Sequence, residues 1–123
     1  MVTKERAVEF LRLASAGKVE EAFARFVAPE FRHHNQYFPG DRASLERAML
    51  EAARASPNKS LTVKYCYQDG NTVVTHSLVE RASLQVPAIA VVHIFRFEGD
   101  RIAELWDVGQ PIQADSPNTN GMF

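Results

Sequence analysis

The chain has 123 residues, of which 46% are hydrophobic, and its 14 Lys and Arg against 15 Asp and Glu give a formal charge of −1. A chain of this size can bury one core without metals or disulfides, and its balanced charge excludes strong attraction to nucleic acid or to an anionic membrane. Its one cysteine excludes an internal disulfide, and no stretch approaches the roughly 20 apolar residues that span a bilayer. We therefore expect a single domain over 1–123, located in the cytoplasm and without membrane insertion.

Apolar residues in the first part of the chain recur with helical spacing. Between residues 4 and 16 they form one stripe, with Thr3 as an N-cap and Gly17 as a C-terminal stop, which predicts a first helix. The same spacing over 18–27, closed by Pro29, predicts a second helix. Their short connection predicts a helical hairpin.

A third helix is predicted after an irregular stretch over 31–40. Asp41 supplies its N-cap, apolar residues follow at helical spacing, and the helix ends before Pro57. Pro57 and Asn58 mark the change from helices to strands.

From residue 61 the apolar period becomes two, which predicts strands. One hairpin joins 61–68 to 72–81 through Asp69-Gly70, and a second joins 88–97 to 101–110 through Gly99-Asp100. Helices first and antiparallel strands afterwards predict an α+β fold, with helices covering one face of a twisted sheet. Residues 111–123 are predicted to form a tail whose apolar Gly-Met-Phe end docks on the domain.

Motifs spread along the whole chain carry a family resemblance. They are His34-Asn35, His76, Val-His-Ile-Phe-Arg at 92–96, Glu-Leu-Trp-Asp-Val-Gly-Gln at 104–110, and the closing Asn-Gly-Met-Phe. In these motifs the chain resembles the SnoaL-like polyketide cyclases of the nuclear-transport-factor-2-like, ketosteroid isomerase-like superfamily. The resemblance implies a cone-shaped α+β barrel of the cystatin-like type, with N-terminal helices packed on a strongly curved antiparallel sheet. It also implies a deep pocket and a homodimer formed through the sheet.

The resemblance implies roles for three residues. In the cyclases an aspartate in the last strand acts as acid and base next to a carbonyl, and Asp107 occupies that position. A histidine on the preceding strand assists, which matches His93, and an asparagine before the third helix matches Asn35. Many relatives have Asp in place of His93 and His in place of Leu105. The presence of His93 makes this chain more similar to the cyclases. The presence of Leu105 makes it less similar to those relatives, which have a longer cluster of polar residues.

The residues themselves allow two interpretations of Asp107 and His93. Desolvation in an apolar setting raises the pKa of a carboxyl group and lets it exchange protons near neutral pH. Alternatively, Asp107 caps a turn or pairs with an arginine of the same hairpin. His93 lies in an apolar run and needs a partner, for which Asp107 and a neighbouring backbone carbonyl are the candidates.

Shared chemistry between Asp107 and His93 requires an irregular last hairpin. A two-residue turn at 99–100 would pair position 93 with 106 and send the two side chains to opposite faces. One extra residue, in a longer loop or a β-bulge, returns them to the same face. The acid–base hypothesis therefore predicts that irregularity.

Other residues are predicted to contact a ligand. A two-residue turn at 69–70 places His76 opposite Val63, on the face of Tyr65 and Tyr67, and that face could line the pocket or form the outer, dimer-forming surface. The tyrosines could donate to an enolate or serve only as wall. The remaining predicted contacts are His34 at the pocket mouth, where Asn35 also lies, and Trp106 beside Asp107.

Several classes of site are not predicted. Adjacent His33 and His34 lack the spacing of metal ligands, so we expect no metal and no cofactor, and His33 is expected to be exposed. Cys66 alternates away from the tyrosines and is predicted to be structural. The chain has neither a Gly-rich phosphate loop nor a serine elbow, which argues against nucleotide binding and acyl hydrolysis.

These observations favour a cofactor-independent lyase or isomerase, or an aldol-type cyclase, that acts next to the carbonyl of a small hydrophobic compound. Asp107 would be acid and base, His93 would support it, and Asn35 or His76 would position the oxygen. Two alternatives remain: a noncatalytic small-ligand-binding module with the same pocket, and a dimerisation module without a ligand.

Overall fold

The computed structural model describes residues 1–81 and 85–123 of the chain. In these residues, three helices and five strands follow one another as α1 (Thr3–Ser15), α2 (Val19–Phe26), β1 (Val27–His33), α3 (Arg42–Ala55), β2 (Lys59–Asp69), β3 (Thr72–Arg81), β4 (Ile89–Glu98) and β5 (Arg101–Pro111). The strands form one sheet in the order β1-β5-β4-β3-β2. The sheet curves around the helices as the predicted α+β barrel does. None of the described helices is long and apolar enough to cross a membrane.

The ends of the helices follow from local chemistry. Val2 occupies the cap position of α1, so the prediction that Thr3 is the cap is wrong by one residue. Gly17 follows α1 with a φ of 86°, a backbone conformation that glycine adopts readily and other residues do not. Asp41 caps α3 as predicted, since its carboxylate accepts a hydrogen bond from the Ser44 backbone N–H at 3.0 Å.

The strand β1 is the element that periodicity does not predict. Residues 31–33, expected to be irregular, continue a strand that pairs with β5 in parallel, with Arg32 opposite Glu104 and His33 opposite Leu105. Pro29 lies inside this strand and lacks an N–H, which an edge strand tolerates. The sheet is antiparallel as predicted among β2, β3, β4 and β5, and the unpredicted β1 adds to it in parallel at this edge.

The last hairpin contains the irregularity that the acid–base hypothesis requires. Next to the turn Phe97 pairs with Ile102, but from Arg96 onward the register is shifted by one extra residue of β5. His93 consequently pairs directly with Asp107. Directly paired residues project from the same face of a sheet. The predicted irregularity of the last hairpin is therefore confirmed.

The first hairpin turns one residue later than predicted. Gly70 and Asn71 form the turn, and His76 pairs with Tyr65 instead of Val63. A shift of two residues does not change the face of a strand, so His76 still shares a face with both Tyr65 and Tyr67.

The helices cover the face of the sheet that carries His93 and Asp107. The Phe10 ring of α1 lies 5.7 Å from Phe23 of α2 and 6.2 Å from Phe95 of β4. Phe95 is fully buried, and it is two residues from His93 on the same strand. Because alternate residues of a strand share a face, His93 and its partner Asp107 point into the space between the helices and the sheet.

Candidate functional site

A cavity of about 220 Å³ separates the helices from the inner face of the sheet. Its apolar walls come mainly from α1 and α3. Three residues predicted as site residues, Asn35, His93 and Asp107, meet in it. Of the residues that the structure describes, the polar side chains that line it are His33, Asn35, Lys59, His93 and Asp107.

Asn35 and Asp107 are joined by a hydrogen bond. The Asn35 Nδ2 group donates to Asp107 Oδ2 at 3.0 Å, and Asn35 Oδ1 accepts from the Tyr37 backbone N–H at 3.0 Å. The second bond fixes the orientation of the amide, so that its N–H group faces the carboxylate. Asp107 is half-buried, and its other carboxylate oxygen receives no hydrogen bond from the described residues. That oxygen is available to a ligand.

His33 holds the loop that carries Asn35, so the prediction that His33 is exposed is wrong. Only 5% of His33 is exposed. Its Nε2 lies 2.7 Å from the Pro39 carbonyl oxygen, and its Nδ1 accepts from the Asn35 backbone N–H at 3.1 Å. Both bonds form together only in the neutral imidazole with its proton on Nε2. The error follows from the unpredicted β1, whose alternation turns His33 inward.

His93 faces the same cavity but forms no hydrogen bond with Asp107. Its ring stacks on Phe95 at 5.9 Å, and its Nδ1 is buried without a partner among the described residues. Burial lowers the pKa of His93 to about 4, and the charge of Lys59 acts in the same direction while that of Asp107 opposes it. The imidazole is therefore neutral near pH 7 and can donate one hydrogen bond. An unpartnered buried nitrogen beside a cavity is a position that a ligand can satisfy.

Replacing His93 with Phe is expected to reduce the acid sensitivity of folding. The pKa is about 4 in the folded chain against an ordinary value of 6.5. Between these values the unfolded chain binds more protons, so the free energy of unfolding falls as pH drops from 6.5 toward 4. The fall in the free energy of unfolding amounts to at most about 3 kcal/mol. Urea denaturation at pH 7 and at about pH 4.5 should show a smaller loss for His93→Phe than for the wild type.

The matched control is His76→Phe, which replaces a histidine outside the cavity. It should lose as much stability on acidification as the wild type does. If His93→Phe loses as much stability on acidification as the wild type and His76→Phe do, the burial of neutral His93 does not contribute to acid sensitivity.

Tyr65, Tyr67 and His76 lie on the outer face of the sheet, so the prediction that they line the pocket with Asp107 is wrong. The residues flanking His76 in β3, Thr75 and Ser77, are fully buried on the inner face. Tyr65 and Tyr67 are 43% and 62% exposed. Because the inner face of β3 carries hydroxyl groups and the outer face carries the larger apolar side chains, hydrophobicity alone selects the wrong face. The alternative of an outer surface describes these residues correctly.

The tail docks on this outer face, as predicted. The Phe123 ring lies 4.7 Å from the His76 ring and beneath the Lys64 ammonium, which is 5.7 Å from the ring centroid. Met122 lines a shallow hollow together with His76. The tail therefore covers part of the sheet surface and not the mouth of the inner cavity.

His34 and Trp106 also lie outside the cavity. Their rings stack at 4.7 Å, and His34 Nε2 is 2.6 Å from the Glu104 carboxylate. Glu104 is 7% exposed and accepts further hydrogen bonds from Arg32 at 2.9 Å and Arg96 at 3.0 Å. The bond from Arg32, followed by those from His34 and Arg96, lowers the pKa of Glu104 to about 2. Trp106 is therefore a packing partner of His34 and does not line the cavity in which Asp107 lies.

Replacing Glu104 with Gln is expected to destabilise the fold at neutral pH, because three cationic or donor groups lose their common anion. The pKa of this carboxyl is about 2 in the folded chain against 4.5 ordinarily. Its stabilising contribution is therefore complete above 4.5 and is lost as pH falls toward 2. The difference in urea midpoint between the wild type and Glu104→Gln should shrink over that range.

Glu98→Gln is the matched control for this prediction. Glu98 also pairs with Arg96 at 3.0 Å, but its side chain is 69% exposed, so its loss should change stability little. Equal midpoints for the two variants at neutral pH would mean that the buried network contributes no more than a surface ion pair.

Asn35 and Asp107 also border an open groove on the surface. His34 and Tyr37 line this groove with them, which gives His34 the predicted position near the entrance. Because Asn35 and Asp107 line both spaces, they stand where the groove meets the cavity.

Two further predictions concern metal and thiol chemistry. Within residues 1–81 and 85–123, no three His, Cys, Asp or Glu side chains are grouped so that they could hold a metal ion. Cys66 packs against the core, and burial raises the pKa of its thiol. A raised pKa reduces the thiolate fraction, which agrees with a structural cysteine.

Lys59 is the cavity residue that sequence reasoning missed. It opens β2, half-buried, and its side chain lines the cavity with His93 and Asp107. Burial lowers the pKa of Lys59, and the charge of Arg81 does so to a smaller extent. The signal was available, because Lys59 is two residues before Leu61 and four before Val63, and both pack against the core.

Comparisons with known proteins place this geometry among related folds. The model of the SnoaL-like domain matches residues 7–105. A cystatin-fold protein of uncharacterised function from Novosphingobium aromaticivorans is 18% identical, with a TM-score of 0.75 over 88% of this chain and 98% of that chain. A protein described as a candidate polyketide cyclase from Acidithiobacillus ferrooxidans is 19% identical, with a TM-score of 0.73 over 88% of this chain and 87% of that chain. None of the curated proteins matches the sequence.

Proposed function

Because this chain belongs to the SnoaL-like family, we propose that it is an enzyme that performs acid–base chemistry next to the carbonyl of a small compound, without a cofactor. The observation that carries this proposal is the direct pairing of His93 with Asp107 on the face that lines the cavity. Without the extra residue in β5, the acid and the imidazole would point to opposite sides of the sheet. The register of the last hairpin therefore supports a shared site.

Asp107 is proposed as the base. A carboxylate oxygen of Asp107 takes a proton from the carbon next to the carbonyl, and the electrons of the C–H bond move into an enolate. Asn35 holds the other oxygen at 3.0 Å and so positions the carboxylate. Return of the proton to another carbon gives an isomerase, loss of a leaving group gives a lyase, and attack of the enolate on a second carbonyl gives a cyclase.

His93 is proposed to stabilise the enolate oxygen. It is neutral near pH 7 because burial lowers its pKa to about 4. A neutral imidazole has one ring N–H group, which can donate a hydrogen bond to a developing oxyanion. A hydrogen bond to an oxyanion would give His93 Nδ1 the partner that it lacks among the described residues.

The size of the cavity restricts the proposed substrate. Its volume is about 220 Å³, below the roughly 300–1,000 Å³ of pockets for drug-sized ligands. We therefore propose a small carbonyl compound in preference to a polycyclic one.

We also propose that the chain forms a homodimer through the outer face of the sheet. Tyr67 and Val108 are 62% and 69% exposed on or beside that face, and such apolar exposure suits a second copy of the chain. Analytical ultracentrifugation tests it, with Val108→Lys as the variant expected to dissociate the dimer.

Proton exchange provides the direct test of the proposed chemistry. Small β-diketones and β-keto esters are incubated with the wild-type protein in D₂O, and NMR follows replacement of the α-hydrogen by deuterium above the buffer rate. The proposal predicts acceleration for at least one compound. Compounds that bind without acceleration would support the noncatalytic binding module instead.

A further inference from the structure

Lys59 reaches the cavity from an edge strand of the sheet. It belongs to β2, an edge strand, whereas Asp107 belongs to β5, three positions away in the strand order. Both side chains nevertheless line the same cavity. A ligand in this cavity thus lies between an acid on one side and an amine on the other.

A second cation adjoins Lys59. Arg81 of β3 is its direct cross-strand partner, and like charges at directly opposed positions are unfavourable. Within the described part of the chain, neither side chain forms an ion pair. The Arg81 Nε is also buried and has no hydrogen-bond partner in residues 1–81 and 85–123. The described residues therefore place two cations together and supply no anion for them.

We propose that Lys59 and Arg81 bind the carboxylate of the substrate, so that the substrate class is a small oxo acid. This inference rests on the proposed function, because it assigns the second end of the same substrate. A carboxylate presents two oxygens and can accept hydrogen bonds from an ammonium and a guanidinium together. Binding of a carboxylate beside Lys59 would offset the repulsion between the two cations.

The charges also fix the direction in which the substrate lies. The Asp107 carboxylate repels a second carboxylate, whereas Lys59 and Arg81 attract it. The acid group of the substrate therefore lies at the β2 side, and its carbonyl lies toward His93 and Asp107. This orientation brings the α-carbon to the proposed base.

Binding of a matched acid and ester tests the proposal. The probes are levulinate and methyl levulinate, which share a ketone and differ in the negative charge. Isothermal titration calorimetry of the wild type should show at least roughly tenfold tighter binding of levulinate, the effect of one charge-assisted hydrogen bond. Lys59→Met should lose most of this preference.

Lys64→Met is the matched control, because Lys64 is an exposed lysine of the same strand whose ammonium lies over Phe123. It should retain the preference for levulinate. Arg81→Gln is the second variant and should weaken levulinate binding while leaving the ester unchanged; circular dichroism verifies that each variant is folded. Equal affinity for acid and ester in the wild type, no levulinate binding, or full preference in folded Lys59→Met overturns the proposal.

Deuterium exchange separates this inference from the proposed function. Levulinate that binds through Lys59, when neither levulinate nor any of the β-dicarbonyl compounds gains α-deuterium above the buffer rate, supports the anion site and contradicts the catalytic proposal. Exchange that is equal for acid and ester, and unchanged in Lys59→Met, supports the catalytic proposal and overturns the anion site.

Discussion

Replacing Asp107 with Asn is expected to lower the rate of α-proton exchange roughly 10²- to 10⁴-fold, the usual contribution of a positioned base. The amide has nearly the same shape as the carboxylate, and its oxygen can still accept the hydrogen bond from Asn35. The ligand should therefore bind with little change in affinity. NMR exchange rates and calorimetric affinities, measured on the same compound, separate the two effects.

Asp115→Asn is the matched control for this substitution. Asp115 is exposed in the tail, outside the cavity, so its change to Asn should leave both exchange and binding unchanged. If Asp107→Asn exchanges as fast as this control, Asp107 is not the base. A parallel loss of exchange and affinity would instead assign Asp107 to binding.

Replacing Phe95 with Ala is expected to lower the free energy of unfolding by about 3–5 kcal/mol, the usual cost of emptying a large buried position. Phe95 is fully buried, and its ring contacts Phe10 at 6.2 Å and Phe97 at 6.5 Å. It therefore joins α1 to the inner face of β4, where its ring stacks with the ring of His93. Urea denaturation at neutral pH measures the change.

Phe38→Ala serves as the control for Phe95, because 42% of Phe38 is exposed. It should cost much less than Phe95→Ala. Where Phe95→Ala fails to fold, Phe95→Leu provides a milder truncation and should still cost more than Phe38→Ala. Similar costs for exposed and buried positions would contradict the assignment of Phe95 to the core.

Local sequence patterns predicted most of the regular elements. Asp41 caps a helix wherever its side chain can reach the N–H of Ser44, and the alternation in β4 and β5 persists regardless of which face becomes buried. These signals depend on residues close together in the chain, so they need no tertiary information. The family motifs added Asn35, His93 and Asp107, which do meet in one cavity.

The residues of the candidate site were predicted less completely. A strand residue belongs to this site only if its side chain lies on the inner face of the sheet. His76 lies on the more apolar side of β3, yet that side is the outer one, and a register shift between Val63 and Tyr65 puts Tyr65 on the face opposite Val63. Thr75 and Ser77 face inward with buried hydroxyls that have no hydrogen-bond partner among the described residues. An apolar pattern identifies a buried face only when the opposite face is clearly polar, and β3 does not meet that condition.

The sequence by itself determined the α+β class, three helices, two hairpins and the family motifs, since each depends on local spacing or on residue identity. Tertiary structure alone decided that β1 joins the sheet in parallel, that His33 turns inward, and that β2 and β5 line the same cavity. Parallel pairing brings together segments some 70 residues apart, and the curvature of the sheet brings β2 to the cavity beside β5. Such contacts depend on the path of the whole chain, which no local pattern encodes.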